Sequence, residues 1–368
     1  MRALLAALAA SSLGAFSLEA CSGSCSAIGS TTAAVASPHA AVGPSVGDFI
    51  AIIPDAPTIT SPTSAATYNA TSNTVTVSGT TSTGVSAPLS ASCTNSAGGT
   101  CTCTVSTGTF SCASLTLTAT ALNTISVTTT NVAGISSADT IAITPFAPGS
   151  PTAAYLPYLE TGFADGDLIG TLHDYGSAGK DVTQTSTARP TYNTPCVSGK
   201  VSNRPCAALD GGDYMKSAAF AAALTQPNLV CVVAAAASPA TNKTYIDSES
   251  GTNRHLVYMQ GSPVKVSGFA GTANATGNVN ITANQYDLVC VKFNDATTLV
   301  TYNGTTSSNK STGSQTMTGV TIGGQNDGTN LLPSGSKILA ALVYDDGTQS
   351  VSNVFSWAQV VFGTLPAS

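Results

Sequence analysis

The chain has 368 residues, which is enough for two or three domains with ordinary hydrophobic cores. Only 8% of the residues are charged, so Thr, Ser, Asn and Gly must supply most of the polar surface, and this composition favours strands and turns over helices. The net charge is −6 and no basic cluster is present. Nucleic acid is therefore excluded as an expected partner, because phosphate binding depends on Lys and Arg.

The N-terminal segment, residues 1–54, is an Ala- and Ser-rich arm. One Arg precedes an apolar stretch from Ala3 to Phe16, and small residues follow, which is the layout of a secretory signal. The sequence LEAC also resembles a lipoprotein box ending at Cys21, although Glu19 fits that motif poorly. A retained stretch is shorter than the roughly 18 residues of a membrane span. In that case we expect an Ala-rich helix that docks onto other proteins of an assembly.

Short alternating runs fill residues 55–145. In NTVTVSG, Val75 and Val77 point to one face while Thr74 and Thr76 point to the other, the period-two pattern of a half-buried strand. Similar runs recur about every ten residues and predict a β-sandwich of about ninety residues. The segments APTITSPTSAATYNATSNTVTVSGTT and NTISVTTTNVAGISSADTIAIT resemble the immunoglobulin-like repeats of bacterial surface proteins and phage structural proteins. That resemblance implies a spacer role.

Ten cysteines occur in local groups. Zinc is disfavoured because no CxxC pair is present and the three histidines lie far from most cysteines in sequence. Disulfides are favoured, and they indicate a compartment outside the cytosol. Cys101 and Cys103 share a strand face, so each requires a partner elsewhere, and Cys93 and Cys112 are available. We further predict a cross-strand or inter-sheet disulfide between Cys231 and Cys290 and a disulfide between Cys196 and Cys206 that closes the turn between them.

Residues 146–154 read as a Pro/Gly linker, and residues 155–368 form a second β domain with one C-terminal helix. The helix is predicted from the spacing in VSNVFSWAQVV, residues 351–361. The segments NRPCAALDGGDYMKS, TNRHLVYMQG, YDLVCVKFNDATTLVTYNGT and GVTIGGQNDGTNLLPSGSKILAALVYD resemble the concanavalin A-like, laminin G-like jelly rolls. The predicted fold is thus all-β: an immunoglobulin-like sandwich, a concanavalin A-like jelly-roll sandwich, an Ala-rich N-terminal arm and one short C-terminal helix.

The acidic stretch ALDGGDY raises the question of a catalytic or metal site. In the jelly-roll family the corresponding segment is a turn between strands. We therefore expect Asp210 and Asp213 to bind amides of their own turn, as Asp does in Asx-turns.

Catalytic patterns are weak. The glycosidases of the jelly-roll family carry two paired carboxylates, one as nucleophile and one as acid/base. The chain has three glutamates, and none stands in the E-x-D-x-x-E pattern. Asp247 and Glu249 are two residues apart, and we interpret them as a solvent-facing acidic edge beside Arg254. His173 is expected to pack at a sheet edge and His255 to serve a hydrogen-bonded structural role.

Two kinds of ligand stay open. Calcium is the candidate cofactor, because Asp and backbone oxygens suit it and lectin-like sandwiches often hold it at their rim. Its candidate ligands are Asp165, Asp167 and Asp174, with Asn326 and Asp327 as another set, although the same sequences are ordinary turns. A cell-surface glycan is the candidate ligand, with Tyr175, Tyr214 and Tyr258 as stacking residues. Trp357, the sole Trp, is expected in the core.

The predicted function is that of a non-catalytic, surface-displayed structural or recognition protein. A phage virion component, of the capsid-decoration or tail-fibre type, is favoured. It would sit on the virion surface, contact other virion proteins through its N-terminal arm and act as a homo-oligomer or within an assembly. The alternative is an exported bacterial adhesin or lipoprotein that binds glycans at the cell surface. A divergent glycan-active enzyme is the third reading.

Overall fold

A computed structural model describes residues 52–196, 204–363 and 365. The predicted signal or docking arm, apart from its last three residues, lies outside the described residues, as do Cys21 and Cys25. Strands are the main regular secondary structure of the described residues and form two sandwiches, so the predicted all-β class with one C-terminal helix is confirmed. None of the helices in this part of the chain is long and apolar enough to cross a membrane.

The N-terminal sandwich is one nine-stranded sheet that closes around its own core. Its strands run in the spatial order β1-β3-β6-β5-β4-β7-β9-β2, with β8 paired to β7. Core residues from both halves of the sheet, such as Val77, Phe110 and Ile141, belong to one cluster. The strands are β1 Thr58–Ser61, β2 Thr67–Asn69, β3 Thr74–Thr80, β4 Ser90–Asn95, β5 Thr100–Ser106, β6 Thr109–Thr116, β7 Asn123–Asn131, β8 Gly134–Ile135 and β9 Asp139–Thr144.

The C-terminal sandwich has two eight-stranded sheets. We call the first the inner sheet (β13-β14-β25-β16-β21-β22-β23, with β10 paired to β25) and the second the outer sheet (β11-β12-β15-β24-β17-β18-β19-β20). The strands are β10 Ala153–Tyr155, β11 Thr171–Leu172, β12 Val182–Thr183, β13 Thr191–Asn193, β14 Cys206–Ala208, β15 Met215–Ser217, β16 Asn228–Ala235, β17 Thr244–Asp247, β18 Leu256–Gln260, β19 Lys265–Phe269, β20 Asn274–Asn280, β21 Tyr286–Phe293, β22 Thr298–Tyr302, β23 Thr305–Lys310, β24 Thr321–Ile322 and β25 Lys337–Tyr344.

The inner sheet is buried on both faces. One face meets the outer sheet across the main core, and the other is covered by α1 (Val351–Phe362), the one α-helix among the described residues. This explains why β16, NLVCVVAA, is apolar without alternation: side chains on both of its faces leave water. Three short 3-10 helices, Gly84–Ser86, Pro157–Leu159 and Asp295–Thr297, lie in connections.

Helix α1 packs against the inner sheet through its apolar side, as an amphipathic helix does. Ser350 caps it by accepting a hydrogen bond from the Asn353 amide at 3.4 Å, and Gly363 ends it with a positive φ of 90°. Trp357 is fully buried in this helix, as predicted, and donates to the Pro145 carbonyl at 3.4 Å. The sole Trp therefore reports on the C-terminal sandwich.

Disulfides occur in both sandwiches, which confirms that prediction. The pairs are Cys93–Cys101, Cys103–Cys112, Cys196–Cys206 and Cys231–Cys290. The last of these joins directly opposed residues of β16 and β21 within the inner sheet, so it is cross-strand rather than inter-sheet.

The segment between the sandwiches is packed against the C-terminal one. Phe146 and Ala147 are buried in the cluster beneath α1, and β10 begins at Ala153, within the predicted linker. Arg204 links the two sandwiches by donating hydrogen bonds to Asn69 Oδ1 at 2.7 Å and Thr144 Oγ1 at 2.8 Å. The connecting segment thus packs on the C-terminal sandwich, and the hydrogen bonds of Arg204 join the two sandwiches.

Candidate functional site

A row of polar residues crosses the face of the outer sheet that points away from the main core. Lys216 on β15 pairs with Thr321 on β24, which in turn pairs with Asp247 on β17. Their neighbours Met215 and Ile322 lie in the main core. Because side chains alternate between the faces of a strand, the polar row must point away from that core.

Asp247 anchors this face. Its side chain is 0% exposed, and it accepts hydrogen bonds from Arg254 Nε at 3.2 Å and Nη2 at 2.6 Å. The backbone amides of Ser248 and Asn326 also donate to it, at 2.9 and 3.1 Å. Burial raises the pKa of Asp247, and the Arg254 bonds oppose that rise. A buried carboxylate with four donors holds the guanidinium in a fixed orientation.

Partly exposed groups surround that anchor. The Lys216 ammonium lies 4.0 Å from Glu249 Oε2 and 3.4 Å from the Asn326 carbonyl oxygen. The side chains of Lys216, Glu249 and Arg254 are 36%, 21% and 20% exposed. We call Lys216, Asp247, Glu249, Arg254 and Asn326 the polar cluster.

The interpretation of Asp247 and Glu249 as a solvent-facing acidic edge is wrong in one respect. Arg254 is indeed the neighbour, but Asp247 is buried, and β17 ends at Asp247, so Glu249 follows the strand instead of sharing its face. Asp247 is buried by Asn326 of the 325–329 loop, which is far from it in sequence, and by Arg254, which lies outside strand β17.

The predicted aromatic residues separate into two places. The Tyr214 ring packs against Gly328, and Tyr258 lies buried near Arg254, so both flank the polar cluster. Tyr175 instead lines a depression of about 320 Å³ between the two sandwiches. Tyr214 and Tyr258 thus lie on different sides of the polar cluster, and Tyr175 lies apart from it.

The structure does not bring the calcium candidates Asp165, Asp167 and Asp174 together as a ligand set. Asp165 accepts from the Thr194 amide at 2.8 Å, and Asp167 accepts from the Ala164 amide at 2.7 Å. Asp174 accepts from three amides, those of Ala154, Gly176 and Lys180. These carboxylates stabilise loops by capping backbone donors. Asp327 likewise accepts from the Thr329 amide and hydroxyl within one turn.

The Asp210–Asp213 segment is a turn, as predicted. Gly212 donates to Asp210 Oδ1 and Asp210 donates to Asp213 Oδ2, both at 2.7 Å. Burial raises the pKa of Asp213 to about 6.

Sequence reasoning missed a hydrogen-bonded pair formed by Glu160 and His173. His173 Nδ1 lies 2.7 Å from Glu160 Oε2, and the His173 amide donates to Oε1 at 2.7 Å. The expectation that His173 packs is wrong, because its side chain is 61% exposed while Glu160 is buried. The hydrogen bond to Glu160 raises the pKa of His173. The two residues are 13 apart in sequence, so no local pattern could show the pair.

His255 has the structural role that was predicted. Its ring stacks on Phe293 with centroids 4.4 Å apart, and its Nε2 lies 2.6 Å from the Gln315 carbonyl oxygen. Burial lowers the pKa of His255 to about 4.

We expect His255→Phe to reduce acid sensitivity between pH 6.5 and 4. The folded-state pKa of His255 lies below the unfolded value of about 6.5, so its stabilising effect is complete above pH 6.5 and is lost as pH falls toward 4, by about 3 kcal/mol in total. Phe retains the ring stacking, and the Gln315 carbonyl keeps a bond from Gln226 Nε2. Denaturant unfolding followed by Trp357 fluorescence at pH 7 and 4.5 measures the effect.

Comparing the free energy of unfolding of the variant with that of wild type at the same pH cancels the contributions of other titrating groups. Asp213 acts in the opposite direction, because its raised pKa makes the fold less stable as pH rises from about 4 to 6. An equal stability difference between variant and wild type at both pH values would contradict the assignment to His255.

The comparisons with known proteins assign no family to the chain. No family model matches the chain, and no curated protein matches it. Among solved structures, domain 4 of AbnA, a GH43 extracellular arabinanase from Geobacillus stearothermophilus in complex with arabinotriose, matches at 14% identity with a TM-score of 0.39, over 57% of this chain and 98% of that one. Trypanosoma rangeli sialidase in complex with sialic acid matches at 8% identity with a TM-score of 0.37, over 65% of this chain and 43% of that one.

Proposed function

We propose that this is a non-catalytic, displayed recognition protein whose C-terminal sandwich binds a glycan at the polar cluster. The observation that carries the proposal is the buried Asp247, which fixes Arg254 while Lys216 and Glu249 remain partly exposed beside it. In this proposal the N-terminal sandwich is an immunoglobulin-like spacer and the C-terminal one a lectin-like jelly roll.

Sugar recognition requires donors and acceptors held close together, because each hydroxyl both donates and accepts. Arg254 and Lys216 supply donors, and Glu249 supplies an acceptor. Fixing the Arg254 guanidinium before binding limits the side-chain entropy that is lost when a ligand is bound. Tyr214, half-buried beside Gly328, is the nearby ring available for stacking on a sugar face.

The carboxylates favour binding over hydrolysis. Asp247 is enclosed by four donors, which leaves it unable to approach a substrate carbon. The other described glutamate, Glu160, is buried under His173 on another part of the sandwich. A hydrolytic pair requires two carboxyl groups about 5 to 10 Å apart on either side of the scissile bond.

Display outside the cytosol is supported by disulfides in both sandwiches. The Arg204 hydrogen bonds to Asn69 and Thr144 support a spacer role for the N-terminal sandwich, which would hold the C-terminal sandwich at a fixed position. We favour a virion surface component, and we keep an exported bacterial adhesin as the second candidate because the N-terminal residues have the layout of a secretory signal. Intact mass separates the two: a chain beginning at Cys21 with added lipid would support the adhesin.

We expect binding on a glycan array by the full chain, and at least tenfold weaker binding by Glu249→Ala and Lys216→Ala in calorimetry with the selected glycan, a loss of about 1.4 kcal/mol. Lys310→Ala is the matched control, because Lys310 ends β23 in the inner sheet. Mass spectra of the glycan after incubation should be unchanged. Cleavage of the glycan, or equal affinity in all three variants, would overturn the proposal.

A further inference from the structure

Four cysteine sulfurs converge in the N-terminal sandwich. Cys93 on β4 lies opposite Cys101 on β5, and Cys103 on β5 lies opposite Cys112 on β6. All four Sγ atoms lie within 4.8 Å of one another. In residues 52–196, 204–363 and 365, no other set of three or more His, Cys, Asp or Glu side chains converges in this way.

This arrangement has the dimensions of a zinc site. A tetrahedral zinc ion bound to four thiolates has Zn–S bonds of about 2.3 Å, which places the sulfurs about 3.8 Å apart. After reduction, the two Sγ atoms of each bonded pair must move apart to reach that separation. We propose that Cys93, Cys101, Cys103 and Cys112 bind one zinc ion when their two disulfides are reduced.

The chemical surroundings favour a soft metal. No Asp, Glu, Lys, Arg or His occurs between residues 56 and 138, so sulfur is the only strong ligand type in this region. A four-thiolate set selects zinc over hard cations such as calcium or magnesium. Cys93 and Cys112 are buried, which shields the site, while Cys101 and Cys103 are half-buried.

An entry path is also present. A surface depression of about 380 Å³ reaches Cys101 and is bordered by Gly98 and Gly99. Both glycines have positive φ, so the rim of the depression is a tight turn without side chains. A metal ion can therefore reach the cluster without opening the core.

Zinc binding requires two steps: reduction of the two disulfides and deprotonation of the thiols by zinc. A phosphine reduces each disulfide to two thiols and is itself oxidised to the phosphine oxide, with water supplying the oxide oxygen and the two thiol protons. Zinc then displaces four protons from the four thiols and binds the resulting thiolates. The disulfide state and the zinc state are thus alternatives that the redox conditions select.

The test uses Co²⁺ as a spectroscopic probe on the full chain with Cys21→Ser and Cys25→Ser, reduced by a phosphine under nitrogen. We expect the visible bands of tetrahedral thiolate-bound cobalt to saturate at one cobalt per chain and to vanish when Zn²⁺ is added. Cys93→Ser with Cys112→Ser should abolish the bands. Cys196→Ser with Cys206→Ser, the matched control, should leave them intact.

Two further measurements test the proposal even if the variant with Cys93→Ser and Cys112→Ser fails to fold. Cys101→Ser, at a half-buried position, should weaken cobalt binding by more than about tenfold, because even changes outside the ligand set cost about 10- to 100-fold. In the parent chain, zinc should protect the four thiols from alkylation, as mapped by peptide mass spectrometry. Absence of stoichiometric bands, bands that survive in the Cys93/Cys112 variant, or protection at other cysteines would overturn the proposal.

Discussion

Replacing Arg254 with Met should destabilise the C-terminal sandwich by about 3 kcal/mol at pH 7. The substitution keeps much of the apolar stem but leaves Asp247, which is 0% exposed, without its countercharge. Removing one partner of a buried ion pair costs about 3–5 kcal/mol. We expect the lower end of that range, because the amides of Ser248 and Asn326 still donate to Asp247. Denaturant unfolding followed by Trp357 fluorescence gives the measurement.

A second variant distinguishes the lost charge from lost packing. Arg254→Met combined with Asp247→Asn removes the buried charge and keeps one side-chain oxygen as the acceptor for one of the two amides, so it should be more stable than Arg254→Met alone. The cost of Arg254→Met should also shrink as pH falls, because burial raises the pKa of Asp247 and the protonated carboxyl needs no countercharge. A cost below about 1 kcal/mol at pH 7, within the range of exposed ion pairs, would show that Asp247 is not buried in solution.

Removing the Cys231–Cys290 disulfide should cost about 4 kcal/mol. The two cysteines are 59 residues apart, and loop-closure entropy gives about this value for a closed loop of that length. Both side chains lie in the cluster beneath α1, close to the helix that carries Trp357. Cys231→Ala with Cys290→Ala should therefore lower the midpoint of the Trp357 transition more than any other disulfide removal.

The Cys196–Cys206 pair provides the matched control. Its residues are 10 apart, for which the same relation gives about 3 kcal/mol. Cys196→Ala with Cys206→Ala should thus destabilise the same sandwich less. An equal or smaller loss for the Cys231/Cys290 variant would show that loop closure does not set the contribution of these bridges.

Local patterns predicted the elements well. The alternation in TVTVSG corresponds to β3, where Val77 is buried and Thr74 and Thr76 are exposed. The spacing of VSNVFSWAQVV corresponds to α1, whose bounds differ from the prediction by one residue. Both patterns depend on contacts between residues a few positions apart, which the sequence displays directly.

The site was less accessible to sequence reasoning. Asp247 looked like an exposed acid, because its burial comes from Asn326, 79 residues away, and from Arg254, which lies off its strand. Glu160 and His173 meet across 13 residues between a loop and a sheet edge. One signal was present: Asp247 follows Tyr245 and Ile246 in an otherwise buried strand, where an acidic residue requires a partner.

By itself, the sequence determined the all-β class, the use of disulfides and the single C-terminal helix. Composition and short-range periodicity specify these features, since they depend on which face of a strand or helix leaves water. Only the tertiary structure decided which carboxylates are buried, which sulfurs converge and which tyrosines flank the polar cluster. Those outcomes depend on strand order and loop packing between residues far apart in the chain, and no local pattern encodes such distances.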